Sequence, residues 1–201
     1  LFRSHLLAGR TLLDHVLHAA AQLHPASITV VVAEDFAYPL PEGVRTVVQK
    51  ERLGTGHAVQ TALEHAPGSG THVLVLYGDT PLLTVATMRQ LLRALDQSSV
   101  AALGFEPADP AQYGRLHTDG EHLLGIVEYA DATEEQKAIR LCNAGIIAFR
   151  RDVLTQLLPN LSNNNAKGEY YLTDIVGLAV QAGHVAAAVR TSDRKSTRLN
   201  S

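Results

Sequence analysis

Several classes of protein are excluded by what this sequence lacks. Its single cysteine, Cys142, excludes an intrachain disulfide and a cysteine-rich zinc site and suits a reducing, cytoplasmic setting. Because Cys142 precedes an apolar run, we expect its thiol to be buried. The apolar runs are far too short to span a membrane, and no secretory signal opens the chain. A net charge of -3 offers nucleic acid no basic surface. We therefore expect a globular protein without membrane or nucleic-acid partners.

The chain does have enough apolar material for one substantial core. Hydrophobic residues make up 46% of its 201 residues and charged residues 18%, a balance typical of globular domains. Helical spacing of apolar residues predicts helices over 11–23, 55–66, 84–95, 152–158 and 171–182, and the polar insert at 132–138 is also expected to be helical. Aliphatic and β-branched runs predict strands over 28–33, 43–48, 73–76, 100–105, 123–129, 141–149 and 184–190. Alternation of these elements indicates an α/β fold with a mostly parallel sheet.

The most informative segment is the aliphatic run that leads into Tyr77, Gly78 and Asp79. Four aliphatic residues from Val73 suit a strand buried on both faces, and Pro81 prevents that strand from continuing. Ligands of open α/β sheets bind at the carboxyl ends of such strands. A carboxylate there can hold Mg²⁺, which prefers one or two carboxylates together with substrate phosphates. The alternative is that Asp79 merely caps the helix that follows.

A loop with two glycines, Gly54 and Gly56, joins the strand before Gln49 to the next helix. The glycines allow close backbone approach, and the amides at the start of the helix favour anions. The Gln49 side chain can donate and accept hydrogen bonds at once, which matches the mixed edge of uracil. An ordinary strand-to-helix turn with a surface glutamine is the alternative.

These segments belong to a longer series of motifs with a specific order and spacing. The series comprises 49–57 (QKERLGTGH), 76–82 (LYGDTPL), 113–115 (YGR), 125–128 (GIVE), 143–145 (NAG) and 163–174 (NNNAKGEYYLTD). In these motifs the chain resembles the uridylyltransferase domain of the bacterial bifunctional enzymes that make UDP-N-acetylglucosamine. The resemblance runs from about residue 7 to about residue 190, and the last motif is its longest and most specific part.

The resemblance implies a Rossmann-like nucleotidyltransferase fold over residues 1–190, with a mixed, mostly parallel sheet. Residues 1–105 are expected to form the nucleotide-binding half, and residues 106–190 the sugar-binding half. The family's pattern assigns the uracil to Gln49, Gly54 and Thr55, and the ribose and phosphates to Tyr77, Gly78 and Asp79, with Asp79 a ligand of Mg²⁺. It assigns the amino sugar to Gly114, Glu128 and Asn143, with Tyr171 and Thr173 close by.

The implied reaction transfers UMP from UTP to N-acetylglucosamine 1-phosphate, giving UDP-N-acetylglucosamine and pyrophosphate. The product serves peptidoglycan and lipopolysaccharide synthesis, and full-length family members form trimers through an acetyltransferase domain absent here. Two alternatives remain: a nucleotidyltransferase for another sugar 1-phosphate, and a non-catalytic domain that binds UDP-sugar. A metal-dependent glycosyltransferase of similar fold usually shows Asp-x-Asp at the strand end, whereas Gly78-Asp79-Thr80 contains a single acid.

Each residue assigned to the sugar also has a plain structural explanation. Glu128 suits a solvated strand end, Asn143 a bulge, and Tyr171 a core position with a satisfied hydroxyl group. Two basic residues, Arg115 and Lys167, are predicted to be surface charges, and most of the ten histidines are predicted to lie at the surface.

The chain departs from the family at both ends. The family's first strand and its basic, glycine-rich loop have no counterpart, and Phe2 stands where the family has a lysine. By resemblance, that strand belongs between the strands near Ile28 and Val73, so that a gap or exposed edges result. Residues 191–201 are polar and without periodicity, which indicates a non-native or disordered tail. We therefore expect the chain to keep the outline of its product site but to be nearly inactive.

Overall fold

The computed structural model describes residues 6–65 and 70–191, so Phe2 and residues 192–201 lie outside the described part. The strands are β1 (Leu6–Leu7), β2 (Arg10–Thr11), β3 (Ile28–Val32), β4 (Val44–Val48), β5 (His72–Val75), β6 (Val100–Phe105), β7 (Arg115–Asp119), β8 (His122–Val127), β9 (Cys142–Arg150) and β10 (Ala186–Arg190). The α-helices are α1 (Leu12–Ala21), α2 (Thr55–His65), α3 (Val85–Ala94), α4 (Glu134–Lys137), α5 (Arg151–Leu157) and α6 (Asp174–Gln181).

Threonine side chains cap three of these helices. Thr11 accepts a hydrogen bond from the amide of Asp14 at 3.1 Å, and the Asp14 carboxylate accepts one from the amide of Thr11 at 3.3 Å. This reciprocal pair satisfies two amides that the first turn of α1 leaves without helical partners. Thr84 caps α3 through the amide of Thr87, and Thr133 caps α4. The positions of α1, α3 and α4 are therefore explained by local sequence, whereas α6 begins three residues after the expected Tyr171.

A six-stranded mixed sheet, in the order β5-β9-β6-β10-β8-β7, organises the fold. The predicted α/β class and mixed sheet are confirmed, but the sheet is not mostly parallel. Among the described pairs, β6–β10 and β3–β4 are parallel and the others are antiparallel. The physical reason is that β9 enters between β5 and β6 and runs antiparallel to both. Strands from 1–105 and from 106–190 thus share one sheet.

The core lies on both faces of this sheet. Alternate side chains of β6 separate into two apolar clusters, with Val100 and Ala102 in one and Ala101, Leu103 and Phe105 in the other. Residues of α2, α5 and α6 pack into the first cluster, and residues of α1 and α3 pack into the second. Cys142 is fully buried in the second cluster, as predicted. The result is a three-layered arrangement of helices, sheet and helices.

The pair β3–β4 forms a separate sheet, and a cavity of about 930 Å³ lies between it and β5. This is where the resemblance expects a strand that the described residues do not supply. The strand at Val73 was expected to be buried on both faces. It is only half-buried and ends at Val75, because no strand among the described residues lies beside the β5 edge that faces the cavity. No helix among residues 6–65 and 70–191 has the length and apolar character needed to cross a membrane.

Candidate active site

The glycine loop after Gln49 is hydrogen-bonded to the segment that precedes α6. The amide of Gly56 donates to the carbonyl of Tyr170 at 2.8 Å, and the amide of Tyr170 donates to the carbonyl of Leu53 at 2.7 Å. The hydroxyl of Thr55 accepts from the amide of Leu172 at 3.0 Å. The residues assigned to uracil are thereby held against the segment assigned to the sugar, although they are more than a hundred positions apart in the sequence.

Gly54 is the residue that permits this close contact. Its backbone has a φ of +109°, a conformation that L side chains rarely adopt. A Cβ atom at this position would lie 2.7 Å from the carbonyl oxygen of Tyr170 and 2.9 Å from the Cβ of Glu169. Both neighbours would have to move. Only glycine therefore fits the contact between the two segments.

The side chain of Gln49 is held in place by the same loop. Its Nε2 donates to the carbonyl of Gly54 at 3.1 Å and lies 2.8 Å from Nδ1 of His57. The half-buried, hydrogen-bonded amide does not fit the alternative of an ordinary surface glutamine. Because the Nε2 group is engaged within the loop, the Oε1 atom is the one that remains for a ligand, and it can accept from an N–H group such as that of uracil.

Asp79 lies in a turn that follows β5. Buried Thr80 closes the turn, because its hydroxyl donates to the carbonyl of Tyr77 at 2.7 Å. The alternative that Asp79 caps the next helix is wrong, because Thr84 caps α3. The described residues contain no group of three His, Cys, Asp or Glu side chains that could hold a metal ion. A single carboxylate still fits Mg²⁺, which takes its remaining ligands from water and substrate phosphates.

The residues assigned to the amino sugar come together beside the glycine loop that follows Gln49. The hydroxyl of Thr173 donates to Oε1 of Glu128 at 3.1 Å, and the amide of Asn143 donates to the carbonyl of Gly114 at 2.8 Å. A Cβ atom on Gly114 would lie 3.4 Å from Oε2 of Glu128 and 3.5 Å from the Cβ of Asn143. These residues come from four separate segments and form one polar cluster. Because Glu128 is half-buried and hydrogen-bonded, it is not simply a solvated strand end.

Asn143 also has the structural role that its alternative predicts. Its Oδ1 accepts from the amide of Gly145 at 2.9 Å, beside a shift in the register between β6 and β9. This is a bulge in β9, in which an asparagine side chain replaces a strand hydrogen bond. Oδ1 is therefore engaged, and Nδ2 is the group that Asn143 can offer to a ligand.

Tyr171 is buried without the satisfied hydroxyl group of an ordinary core tyrosine. Its side chain is 7% exposed, and its hydroxyl lies close to Asp131 without forming a hydrogen bond of normal geometry within the part of the chain that the structure describes. Burial, together with the negative charges of Asp131 and Glu128, raises the pKa of Tyr171 to about 12. The hydroxyl therefore stays protonated and can donate to a ligand.

Two acidic residues that the sequence did not single out lie at this cluster. Burial first, and then the negative charges of Glu128 and Asp131, raise the pKa of Asp174 from its usual 3.8 to about 6. Asp131 also accepts from the amide of Ala166 at 2.8 Å, which ties it to the loop before α6. Position is the only signal that the sequence gives for these two residues. Asp131 lies three residues after the GIVE motif, and Asp174 is the last residue of the final motif.

The prediction that Arg115 is a surface charge is wrong. It is only 2% exposed. Its guanidinium donates to the carbonyls of Lys137 at 3.3 Å and Ala111 at 3.1 Å, and also to that of Tyr113. These carbonyls, and the ring of Tyr129 at 5.7 Å, hold the charge beneath the turn that carries Gly114. Three backbone acceptors cannot be foreseen from local sequence. Lys167, by contrast, is exposed as predicted.

Known proteins of related sequence indicate the family of this chain. The chain matches the MobA-like NTP transferase domain over residues 4–140. It is 47% identical over 206 residues to the bifunctional protein GlmU of Rhodospirillum rubrum, and 44% identical over 204 residues to that of Rhodopseudomonas palustris. Each alignment covers 98% of this chain and 45% of the relative, so the chain spans less than half the length of these curated relatives.

A solved structure supports the fold independently. The inositol-1-phosphate CTP transferase from T. maritima matches with a TM-score of 0.70 at 12% identity, covering 94% of this chain and 76% of that chain. At such low identity the likeness shows the fold alone. The relatives named GlmU, which align with nearly the whole chain, confirm the resemblance seen in the motifs. The chain therefore belongs to the MobA-like NTP transferase domain family.

Proposed function

We propose that this site binds UTP and N-acetylglucosamine 1-phosphate and forms UDP-N-acetylglucosamine and pyrophosphate. The observation that carries the proposal is the hydrogen-bonded contact between the glycine loop and the segment before α6. Through it, the uracil residues and the sugar residues form one continuous surface, as a nucleotide-sugar product requires. The chain spans less than half the length of its curated relatives. The activity, substrates and partners of the whole protein are therefore proposed for this chain.

The nucleotide is bound by the glycine loop and by the turn after β5. Oε1 of Gln49 accepts from the uracil N–H group, while the loop backbone at Gly54 and Thr55 contacts the base. Tyr77 and Gly78 lie along the ribose and phosphates. Asp79 would hold a magnesium ion, which would supply charge neutralisation to the phosphates.

The sugar is bound by the polar cluster of Gly114, Glu128, Asn143, Tyr171 and Thr173. The Glu128 carboxylate accepts from sugar hydroxyls, while Nδ2 of Asn143 and the protonated hydroxyl of Tyr171 donate to sugar oxygens. In the reaction, an oxygen of the sugar 1-phosphate attacks the α-phosphorus of UTP. A new P–O bond forms and the bond to pyrophosphate breaks, so no covalent enzyme intermediate is required. The residues contribute by aligning the reacting groups.

Calorimetric titration with UDP-N-acetylglucosamine tests the binding part of the proposal. We expect Gln49→Ala to weaken binding by about 1–3 kcal/mol, because a buried polar partner is left unpaired. Substitution of the exposed Gln97 by alanine is the matched control and should leave binding unchanged. Equal affinity of the Gln49→Ala variant and the parent for uridine and cytidine diphosphates would contradict the assignment of uracil to this loop.

Release of pyrophosphate from UTP and N-acetylglucosamine 1-phosphate, measured on the same preparation, tests the catalytic part. Turnover that Asp79→Ala abolishes identifies a transferase. Binding of the product without turnover fits both the near-inactivity expected from the sequence and a UDP-sugar-binding domain; recovery of turnover when a family-type N-terminal segment is restored would then favour the transferase. If the chain prefers a different sugar 1-phosphate, the assignment of N-acetylglucosamine 1-phosphate as the substrate is wrong.

A further inference from the structure

The side-chain nitrogen of Gln49 has two partners within its own loop, and both accept hydrogen bonds from it. Nε2 lies 3.1 Å from the carbonyl oxygen of Gly54 and 2.8 Å from Nδ1 of His57. A carbonyl oxygen cannot donate, so the contact with Gly54 identifies the nitrogen end of the amide. Because that nitrogen can only donate, Nδ1 of His57 must be the acceptor. His57 is therefore a neutral imidazole that carries its proton on Nε2.

Backbone hydrogen bonds hold these partners at both ends of the loop. The amide of Gln49 donates to the carbonyl of Val32 at 2.8 Å, which joins its backbone to the end of β3. His57 lies in the first turn of α2, where the amide of Ala58 donates to the carbonyl of Gly54 at 3.1 Å. The Gly54 carbonyl thus accepts from the helix and from Gln49, with one lone pair for each. It cannot turn away from Nε2 without disrupting the start of α2.

Together, Gly54 and His57 occupy both hydrogens of the Gln49 amide. A primary amide has two N–H groups and one oxygen, so only Oε1 is left for a ligand. If Gly54 were the only acceptor, one N–H group would stay free, and Gln49 could offer a ligand a donor as well as an acceptor. His57 removes that donor. Gln49 therefore presents an acceptor alone.

An acceptor at this position distinguishes one pyrimidine base from another. The ring N3 of uracil carries a hydrogen, which Oε1 can accept. The ring N3 of cytosine is itself an acceptor, so it would meet Oε1 with lone pair against lone pair. A free N–H group on Gln49 would instead suit cytosine. Selectivity of this kind comes from a repulsive contact with the wrong ligand as much as from an attractive contact with the right one.

We propose that His57 is a positioning residue that makes Gln49 selective for uracil. It acts through Gln49, because its Nδ1 takes the N–H group that could otherwise bind cytosine. The half-buried imidazole need not touch the base itself. This inference rests on the proposed function, since it requires Gln49 to face the base of a nucleotide.

The protonation of the imidazole can be tested without any nucleotide. Long-range proton–nitrogen correlation spectra of the nitrogen-labelled chain should show His57 with its proton on Nε2 and none on Nδ1. The signals are assigned by their loss in His57→Asn. A proton on Nδ1 would overturn the inference, because two donors would then face each other between Gln49 and His57.

Calorimetric titrations with UDP and with CDP test the selectivity. For each protein, the ratio of the two Kd values is compared with that of the parent. We expect His57→Leu to lower the preference for UDP about three- to tenfold, the effect of one hydrogen bond. His57→Asn should keep most of the preference, because Oδ1 of asparagine can accept the bond that Nδ1 accepted. The matched control is His65→Leu, at an exposed position in the last turn of the same helix, which should leave the ratio unchanged.

The outcomes separate this inference from the proposed function. If the parent prefers UDP and His57→Leu keeps the same ratio, the inference is overturned while the proposed function stands. An equal loss of preference in His57→Asn and His57→Leu would also overturn the inference, because the acceptor would then not be what matters. A parent that binds neither nucleotide would overturn both. If His57→Leu fails to fold, the imidazole spectrum and the His57→Asn ratio still decide.

Discussion

Replacing Asp174 with asparagine should stabilise the protein above pH 6 and leave its stability unchanged near pH 3. The folded state raises the pKa of this carboxyl from 3.8 to about 6, chiefly through burial and then through the charges of Glu128 and Asp131. The folded state therefore holds the proton more tightly than the unfolded state does. The stability that this carboxyl contributes is fully present below its pKa in the unfolded state, and it is lost as the pH rises through its pKa in the folded state. Asparagine cannot ionise, so the variant avoids this loss.

The magnitude follows from the size of the shift and the position of the residue. A shift of about two units corresponds to about 3 kcal/mol. Asp174 keeps some contact with solvent, which reduces this to about 1–2 kcal/mol. The carboxylate also occupies the first turn of α6, where its interaction with the helix dipole, worth about 0.3–1 kcal/mol, is lost in the variant. The net stabilisation at pH 8 should be about 1 kcal/mol, or a rise in melting temperature of about 2–4 °C.

Thermal melts of the parent and the variant at pH values from 3 to 8 test this reasoning. The matched control is Asp152→Asn, which changes an acid in the first turn of α5 whose side chain is 68% exposed. The control should show no stabilisation at high pH. If Asp174→Asn melts at or below the temperature of the parent at pH 8, burial does not dominate the environment of this carboxyl.

Three further predictions concern the glycine loop, the buried arginine and the cavity between β3 and β5. Gly54→Ala should cost about 1–3 kcal/mol of stability and weaken UDP-N-acetylglucosamine binding, because of its positive φ and its contact with Tyr170; an unchanged melt and titration would contradict the contact. Arg115→Met should lower the free energy of unfolding by about 2–4 kcal/mol, since three carbonyls lose their donor, whereas Arg150→Met, at an exposed site, should have little effect in the same denaturation series. Because β3 and β5 each have one edge without a neighbouring strand among the described residues, the chain should melt at low temperature and aggregate; a cooperative melt of a soluble monomer at an ordinary mesophile temperature would refute this.

Much of the local structure could be predicted because it depends on short stretches of sequence. The strand predicted at 100–105 is β6 itself, a fully buried run of apolar residues and one glycine. The helix predicted from Thr11 is capped by Thr11, because the capping box is local. The pairing of the strands could not be predicted in this way. The position of β9 between β5 and β6 depends on contacts between distant residues, which alternation of elements does not encode.

The candidate site was predicted from motifs, and its electrostatics were not. The contact between Thr173 and Glu128 brings together residues that the resemblance had assigned to the same sugar. The approach of Asp174 and Asp131 to Glu128 depends on the path of the chain before α6. The burial of Arg115 depends on the carbonyls of two neighbouring turns. Such features arise only once the tertiary structure has formed.

The position of β9 between β5 and β6 also determines when the central sheet can form during protein synthesis. β5 and β6 are made early but do not pair with each other, because their common neighbour is β9, at residues 142–150. The ribosome adds about 5–20 residues per second, so about 2–9 seconds pass between the synthesis of β6 and the completion of β9. During that interval the newly made strands have open edges. The first hundred residues therefore emerge as a segment that cannot complete its sheet until residues 142–150 have been made.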